Sequence, residues 1–310
     1  MRFEMVPEGP FNLAEETEYF GGWLSYSADT AAIGMAFPVE GWRTSAAVIV
    51  RQTPAGAVTG EVHGAGGDDA EAAWRQVLAV LSLDFDGRGF PEVGRRDPVI
   101  GRLQQKYNFL RPVCFHTPYE AAANFVIGQR ISIKQAQAIR GAMAREVGDR
   151  VLVGGETFYA FPRPQVLAEL AGFPGVSEEK IVRLHGIAEA ALDGFLDRER
   201  LRGLPAEQAL AELRSLHGIG PFSAQGILLR GAGLVDAVPD DENTSRAAQL
   251  AYELPAPPDH AAVLRLAENW RPYRMWTTVL LHVWLRREAG GPVTRSARTA
   301  SGSTRGTRRT

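Results

Sequence analysis

The sequence predicts an α+β protein, with a small antiparallel sheet-and-helix domain at the N-terminus and a mainly helical body after it. Three observations predict this class. Short strand-like segments lie between residues 32 and 63. Apolar side chains recur at helical spacing from residue 117 to residue 287. A Gly-x-Gly turn separates two of the predicted helices, which indicates a helical hairpin.

The N-terminal hundred residues alternate between helix and strand patterns. A short amphipathic helix is predicted over Glu15–Leu24, and a longer one over Ala70–Leu83, where Trp74, Val77, Leu78 and Leu81 would share one face. Strands are predicted in the segments 32–38, 42–53 and 57–63. We expect this region, residues 1–105, to be a scaffold domain.

From Thr117 onward the pattern is helical. Thr117 is a suitable N-cap and Pro118 suits the first helical position, where its missing N–H would have no partner in any case. We expect the helical domain or domains to span 106–289. The predicted helices are 118–128, 133–147, 163–171, 178–196, 206–216, 221–231, 241–252, 260–270 and 274–287.

The charges are unevenly distributed along the 310 residues. The net charge is −2, but the first hundred residues carry 15 acidic and 7 basic side chains, and the tail 290–310 carries five arginines and no acid. The middle of the chain is therefore close to neutral, which excludes a broad basic footprint for a nucleic acid. The tail cannot form a core and is expected to be disordered. It either adds non-specific affinity for DNA or is an inert terminus.

Composition narrows the class of protein further. The hydrophobic content of 45% and charged content of 23% are ordinary for a globular protein. No apolar run is long enough for a membrane span, and no secretion signal is evident, so we expect a cytoplasmic protein. The single cysteine, Cys114, lies between Val113 and Phe115 and is predicted to be a buried, inert thiol.

The segment 213–224, Leu-Arg-Ser-Leu-His-Gly-Ile-Gly-Pro-Phe-Ser-Ala, predicts two helices joined by a tight turn. Gly218 and Gly220 permit the close backbone approach, and Pro221 would begin the second helix. The first N–H groups of this second helix could bind a phosphate, and such a contact would position DNA without identifying its bases. The alternative is a purely structural turn between packed helices.

An acidic pair follows at Asp240 and Asp241. The sequence Pro-Asp-Asp-Glu before a predicted helix is typical of an N-cap with acidic residues in the first turn, which is the commoner function of such an aspartate. Its position downstream of the hairpin favours a second function, as a carboxylate directed at a sugar carbon.

The hairpin segment and the acidic pair that follows it resemble the corresponding motifs of the helix-hairpin-helix DNA glycosylase superfamily. Within it, the chain is similar to the DNA-3-methyladenine glycosylase II (AlkA-type) family of base-excision repair. Four segments carry the resemblance in family order: 125–132, 216–224, 239–241, and 270–274 with 281–284. The four-cysteine iron–sulfur cluster of some superfamily members cannot be built with one cysteine.

The resemblance implies a chemistry. Asp241 matches the catalytic carboxylate, which would stabilise an oxocarbenium-like transition state and orient or deprotonate water. Asp240 would be its capping or second-layer neighbour. Phe222 stands where lyase-active relatives have a Schiff-base lysine, and no lysine follows Lys180. The implied activity is therefore monofunctional hydrolysis of alkylated purines, with an abasic site as product.

The same resemblance implies how DNA is held. Gln129 and Arg130 match the turn that fills the gap left by a flipped base, although Arg130 replaces an apolar wedge and could instead be a surface ion-pairing residue. The DNA backbone would contact the hairpin at His217, Gly218, Ile219, Gly220, Pro221 and Ser223.

The base pocket is the part that departs most from the family. Phe222 matches a pocket tryptophan, and Tyr19 matches an aromatic residue of the N-terminal domain. Gly226 and Glu242 stand where tyrosines are found. On the last helix, matching the segment 281–284 makes Trp284 the residue that stacks on the base, whereas counting without a gap from Pro272 puts His282 there. A shift of two residues turns a helix by roughly 200°, so both cannot face one pocket, and we favour Trp284.

Two rival functions remain. One is an oxidised-base glycosylase, which would normally need the missing lysine, and the other is a helix-hairpin-helix protein that binds damaged DNA without cutting it. The family also holds a structural monovalent cation, which would here lie at the carbonyls of Arg214, Leu216 and Ile219. We expect no catalytic metal, no membrane partner, double-stranded DNA as ligand and a monomeric protein.

Overall fold

The computed structural model describes residues 1–19, 25–27, 31–107 and 110–288, with the backbone alone for 17–19 and 25–27. The predicted tail 290–310 lies outside the described residues. Within the described ranges the chain folds as an α+β protein, so the predicted fold class is confirmed.

The N-terminal region forms a five-stranded antiparallel sheet with strand order β1-β5-β4-β3-β2. Its strands are β1 (Arg2–Met5), β2 (Ser25–Ser27), β3 (Ala32–Pro38), β4 (Ser45–Gln52) and β5 (Val58–His63). Met35 faces Val48 across the β3–β4 pair, and both are buried. Because side chains alternate along a strand, this register turns one apolar face towards the core.

Helix α1 (Leu13–Tyr19) precedes the sheet's second strand, and α2 (Gly67–Val80) packs on β4 and β5. Two helices that the sequence did not predict, α3 (Phe90–Arg96) and α4 (Pro98–Lys106), lead into the helical body. The side chain of Asp97 caps α4 by accepting from the N–H groups of Val99 and Ile100.

The helical body follows the predicted order, and most of its helices are shorter than predicted. Thr117 caps the helix that begins at Pro118, as predicted, since its hydroxyl accepts from the Glu120 N–H at 3.0 Å. The remaining helices are α5 (Pro118–Ile127), α6 (Ile133–Val147), α7 (Pro164–Ala168), α8 (Glu178–Leu192), α9 (Arg198–Gly203), α10 (Ala206–Ser215), α11 (Pro221–Gly226), α12 (Glu242–Ala251), α13 (His260–Ala267) and α14 (Arg274–Glu288).

Four details of the helical body depart from the predicted pattern. A two-stranded hairpin, β6 (Arg150–Val153) and β7 (Glu156–Tyr159), lies between α6 and α7. Helix α9 was not predicted. Helix α11 continues into a wider, π-type segment, Ile227–Ala232, and α13 continues into a 3₁₀ turn, Glu268–Trp270.

The buried side chains form two separate cores. The first joins the N-terminal sheet and α2 to the C-terminal helices α12, α13 and α14, with Trp270 and Leu280 fully buried in it. The fully buried side chains of the second core all lie within residues 115–232 and include Tyr119, Leu184 and Leu213. The C-terminal helices therefore pack with the beginning of the chain, while the hairpin belongs to the middle. The domain boundaries near 105 and 289 stay a prediction.

None of the helices in the described ranges is long and apolar enough to cross a membrane.

Candidate active site

The hairpin predicted from the Gly-x-Gly segment joins α10 to α11. Gly218 has a φ of +86°, and a Cβ there would lie 2.5 Å from the Cδ of Arg183. Only glycine therefore fits this position. The turn is closed by the Ile219 N–H, which donates to the Leu216 carbonyl at 3.0 Å, and Ile219 is buried in the second core.

The end of α11 that faces solvent can bind an anion. Gly220 is its N-cap and Pro221 its first residue, and the amide groups of Gly220 and Ser223 donate to no acceptor in the described ranges. The first N–H groups of a helix lack intrahelical partners and lie at the positive end of its dipole. His217, Gly220 and Pro221 are exposed at this end. This geometry is compatible with the predicted phosphate contact, which stays a prediction.

The turn after α5 is tied to this hairpin through Gln129. The Gln129 amide donates to the Gly218 carbonyl at 2.7 Å, and Arg183 donates to the Gln129 side-chain oxygen. Gln129 therefore holds the two turns together, which is a packing function that its predicted position in a DNA wedge did not include.

Arg130 stands at the tip of the same turn. It is exposed, its φ is +58°, and it has no ion pair or side-chain hydrogen bond with the described residues. A non-glycine residue in this left-handed region costs about 1 to 2 kcal/mol and is typical of functional sites. The alternative of a surface ion-pairing residue therefore finds no partner within the described part of the chain.

Asp241 caps α12, as the sequence predicted. Its Oδ1 accepts from the Thr244 N–H at 2.8 Å, while Oδ2 has no hydrogen bond among the described residues. One oxygen thus fixes the carboxylate, and the other stays open. Capping and catalysis use different oxygens, so the two interpretations of this residue are compatible.

The neighbouring Asp240 lies in a different environment. Its side chain is 63% exposed, against 21% for Asp241, and its carboxylate lies 3.7 Å from His260 Nδ1. The Asp240 N–H donates to the Gln225 side chain at 3.1 Å. Asp240 therefore points to solvent, and Asp241 is the carboxylate that the fold fixes.

On the last helix, α14, the structure brings His282 and not Trp284 to Asp241. The Nε2 atom of His282 lies 2.9 Å from Thr244 Oγ1 and 3.9 Å from Asp241 Oδ1. Trp284 is partly buried and packs on the first core. Whether either ring stacks on a bound base stays a prediction. The side chain of Tyr19, the last residue of α1, lies outside the described residues.

Pro221, Asp240 and Asp241 line a cleft of about 1070 Å³ between the hairpin and α12. Its lining joins the turn before α6, the start of α11, the acidic cap of α12 and the start of α13. The lining residues are Ile131, Ser132, Ile133, Pro221, Phe222, Gln225, Asp240, Asp241, Glu242, Asn243, Ser245, Pro258, Asp259 and His260. The cleft is large enough for a nucleobase and sugar.

An aromatic pair stands at the cleft. Phe222 is 60% exposed, and its ring meets that of Phe125 edge-on, with centroids 5.8 Å apart. A Cβ on Gly226 would overlap the Phe125 ring, so the glycine makes room for it. Phe125 therefore occupies space over Gly226, the position where the family carries a tyrosine.

Several cleft residues were not singled out from the sequence. Ile133 is the first residue of α6 and is 79% exposed, although Ser132 and Gln135 fix this helix start by a reciprocal capping box. Gln225, Asp259 and His260 also line the cleft. The capping signal Ser-x-x-Gln could have identified the helix start, but no sequence signal shows that an isoleucine there faces a cleft.

The described residues contain no group of three or more His, Cys, Asp and Glu side chains suited to a metal ion. Arg214 lies in the last turn of α10, where helix carbonyls lack intrahelical partners, and the Leu216 carbonyl already accepts from Ile219. Neutral backbone oxygens suit a monovalent cation, and that site stays a prediction. Cys114 is buried, and burial raises the pKa of its thiol, as expected for an inert cysteine.

The fold is similar to solved structures of DNA glycosylases. The 3-methyladenine DNA-glycosylase from Archaeoglobus fulgidus matches with a TM-score of 0.76 and 19% identity, over 92% of this chain and 98% of that one. An 8-oxoguanine glycosylase/lyase from Clostridium acetobutylicum, in complex with DNA, matches with a TM-score of 0.65 and 17% identity, over 93% and 98%. Fold, hairpin and carboxylate together define a helix-hairpin-helix DNA glycosylase fold.

Sequence comparison identifies the family. DNA-3-methyladenine glycosylase 2 of Escherichia coli is 30% identical over 220 residues, which cover 67% of this chain and 71% of that protein. A DNA-3-methyladenine glycosylase of Bacillus subtilis is 25% identical over 206 residues, which cover 65% and 68%. No protein-family model matches the chain. The chain belongs to the DNA-3-methyladenine glycosylase family, and the predicted resemblance is confirmed.

Proposed function

We propose that this protein flips alkylated purines out of duplex DNA and hydrolyses their N-glycosidic bonds, leaving abasic sites. The names of the Escherichia coli and Bacillus subtilis relatives support this activity and substrate class. The observation that carries the proposal is the Asp241 carboxylate, with Oδ1 held by the helix cap and Oδ2 open at the cleft.

The reaction builds positive charge on the sugar as the base departs. A fixed carboxylate stabilises that charge without reorganisation, and it can orient the attacking water. Alkylated purines that carry positive charge leave readily, so a strong general acid is not required. The cleft suits such bases because Asp240, Asp241, Glu242 and Asp259 line it, and because the exposed ring of Phe222 offers a face for a cation.

Hydrolysis without strand cleavage is supported by the positions of the three lysines. Lys106 pairs with Glu288, Lys180 donates to the Ile127 carbonyl at 2.8 Å, and neither lines the cleft. Lys134 does not line it either. A Schiff-base mechanism needs a lysine at the sugar.

DNA would be held by the α11 amides at a phosphate, with the turn carrying Arg130 entering the duplex where the base has left. All of these groups belong to one chain, so we propose that a monomer is sufficient. We also propose that it acts in the cytoplasm, since its substrate is chromosomal DNA.

The decisive experiment measures base release from methylated duplex DNA by the intact protein, Asp241→Asn and Asp240→Asn. Asparagine is a good N-cap, so Asp241→Asn should keep the bond from Thr244 and fold normally. We expect a loss on the order of a hundredfold for Asp241→Asn and little change for the matched Asp240→Asn.

Equal loss in the two variants would move catalysis away from Asp241. Binding of methylated duplex without base release by the intact protein would favour a non-catalytic damage-binding protein. Release from 8-oxoguanine duplex but not from methylated duplex would favour the oxidised-base alternative.

A further inference from the structure

His282 belongs to a three-residue cluster behind the open carboxylate. Its Nε2 atom shares a hydrogen bond with the Thr244 hydroxyl at 2.9 Å, and the same nitrogen lies 3.9 Å from Asp241 Oδ1. Thr244 is buried and is also the residue whose N–H holds Asp241. The imidazole thus contacts the residue that fixes the catalytic group.

We propose that His282 is a positioning residue with a proton switch. When neutral, it bonds to Thr244 without pairing with Asp241, and when protonated, it pairs with Asp241 and lowers catalysis. This inference rests on the proposed function of Asp241. The switch consumes one proton from solvent and needs no other reactant.

The groups around His282 determine when this proton binds. Burial lowers the pKa of His282, and Arg230 of the π-type segment and Arg286 of α14 lower it further, whereas Asp241 at the cap of α12 raises it. The pKa of His282 therefore lies below its ordinary value, and the imidazole is neutral at pH 7.

The neutral ring also fits the hydrogen bonding of Thr244. The imidazole can accept from the Thr244 hydroxyl or donate to it, so one bond is made in either tautomer. An imidazolium so close to Oδ1 would instead offset the negative charge that the transition state requires. Acidification below the pKa of His282 should therefore reduce catalysis while the protein remains folded.

The first test is the pH dependence of kcat/KM for base release, which reports the groups of the free enzyme. The intact protein and His282→Gln are compared from pH 5 to pH 8, with spontaneous depurination subtracted. Glutamine can bond to Thr244 but cannot be protonated in this range. We expect kcat/KM of the intact protein to fall about tenfold per pH unit below the pKa of His282. In His282→Gln this acidic decrease should be absent, whatever the rate of the variant at pH 8.

A second test does not depend on activity. The pKa of the His282 ring is measured by NMR in the intact protein and in Asp241→Asn, with the resonance assigned by its absence in His282→Gln. Asp241→Asn should lower this pKa, since the carboxylate that favours the imidazolium is gone. His185, which contacts the Leu170 carbonyl, is the internal control.

Parallel profiles for the two proteins, or a His282 pKa that Asp241→Asn leaves unchanged, would overturn the inference and leave His282 with a purely structural function. Absence of base release at every pH would instead contradict the proposed function, and the NMR titration would still test the coupling of His282 to Asp241.

Discussion

The Phe125 ring occupies the space beside Gly226 that any larger residue would need. A Cβ at Gly226 would overlap the end of this ring, and Phe125 is itself confined by edge-on contact with Phe222 and by Phe115 at 6.1 Å. The exposed aromatic face in the cleft therefore depends on a glycine one helical turn away from it.

Gly226→Ala should test this dependence. Overpacking of this kind costs about 1 to 3 kcal/mol, which outweighs the gain of about 1 kcal/mol when alanine replaces glycine in a helix. We expect a lower free energy of unfolding and slower base release, both measured on the purified variant. Gly186→Ala is the matched control, because a Cβ there meets nothing within 4 Å and the change should stabilise α8. Equal effects of the two changes would contradict the crowding at Phe125.

Gln129→Ala should loosen the link between the turn after α5 and the hairpin. It removes the bond to the Gly218 carbonyl and the one from Arg183, for a loss of about 1 to 2 kcal/mol in the free energy of unfolding. Affinity for undamaged duplex should also fall, as measured by fluorescence anisotropy. Gln137→Ala, an exposed glutamine of α6, should change neither quantity. An unchanged affinity for Gln129→Ala would mean that the hairpin holds its shape alone.

Arg130→Gly should separate stability from function. Glycine relieves the left-handed backbone at φ +58°, so thermal unfolding should occur at the same or a slightly higher temperature. Base flipping should nevertheless weaken, because the side chain that would fill the gap is absent. The measurement is 2-aminopurine fluorescence beside the lesion. A variant that flips bases as well as the intact protein would remove Arg130 from the DNA wedge.

Ile133→Ala should affect DNA although it barely affects the fold. Its side chain is 79% exposed at the cleft, so little buried area is lost on truncation. If it packs on the distorted duplex, affinity for abasic-site DNA should fall several-fold, on the order of 1 kcal/mol for the lost apolar contact. Val182→Ala on α8, also exposed but away from the cleft lining, is the control. Equal affinities for both variants would show that Ile133 does not touch DNA.

Much of the helical body could be predicted because proline, glycine and capping residues mark its boundaries. Thr117 and Asp241 cap the helices that their sequence context indicates. The hairpin between β6 and β7 carried a usable signal, since Gly154 and Gly155 both adopt positive φ in a two-residue turn. Strands β1 and β2 span four and three residues, too few for alternation to be visible.

The position of the last helix could not be predicted from sequence. Which side of α14 faces Asp241 is fixed by packing against α12 and α4, which lie far apart in the chain. An offset of two residues exchanges His282 for Trp284. The sequence match favoured Trp284, whereas the structure brings His282 to Asp241. The sheet and the C-terminal helices share one core although they are far apart in the chain, and this contact could not be predicted from local sequence either.

The division of the apolar interior into two cores affects how Asp241 and the hairpin are positioned relative to each other. Asp241 and His282 are carried by elements of the first core, whereas the hairpin, Phe125 and Phe222 are carried by the second. The distance between the hairpin and Asp241 is therefore set where the two cores meet, at Leu234, which packs against both of them. We expect substitutions where the two cores meet to change the rate of base release, although the substituted side chains would not contact DNA.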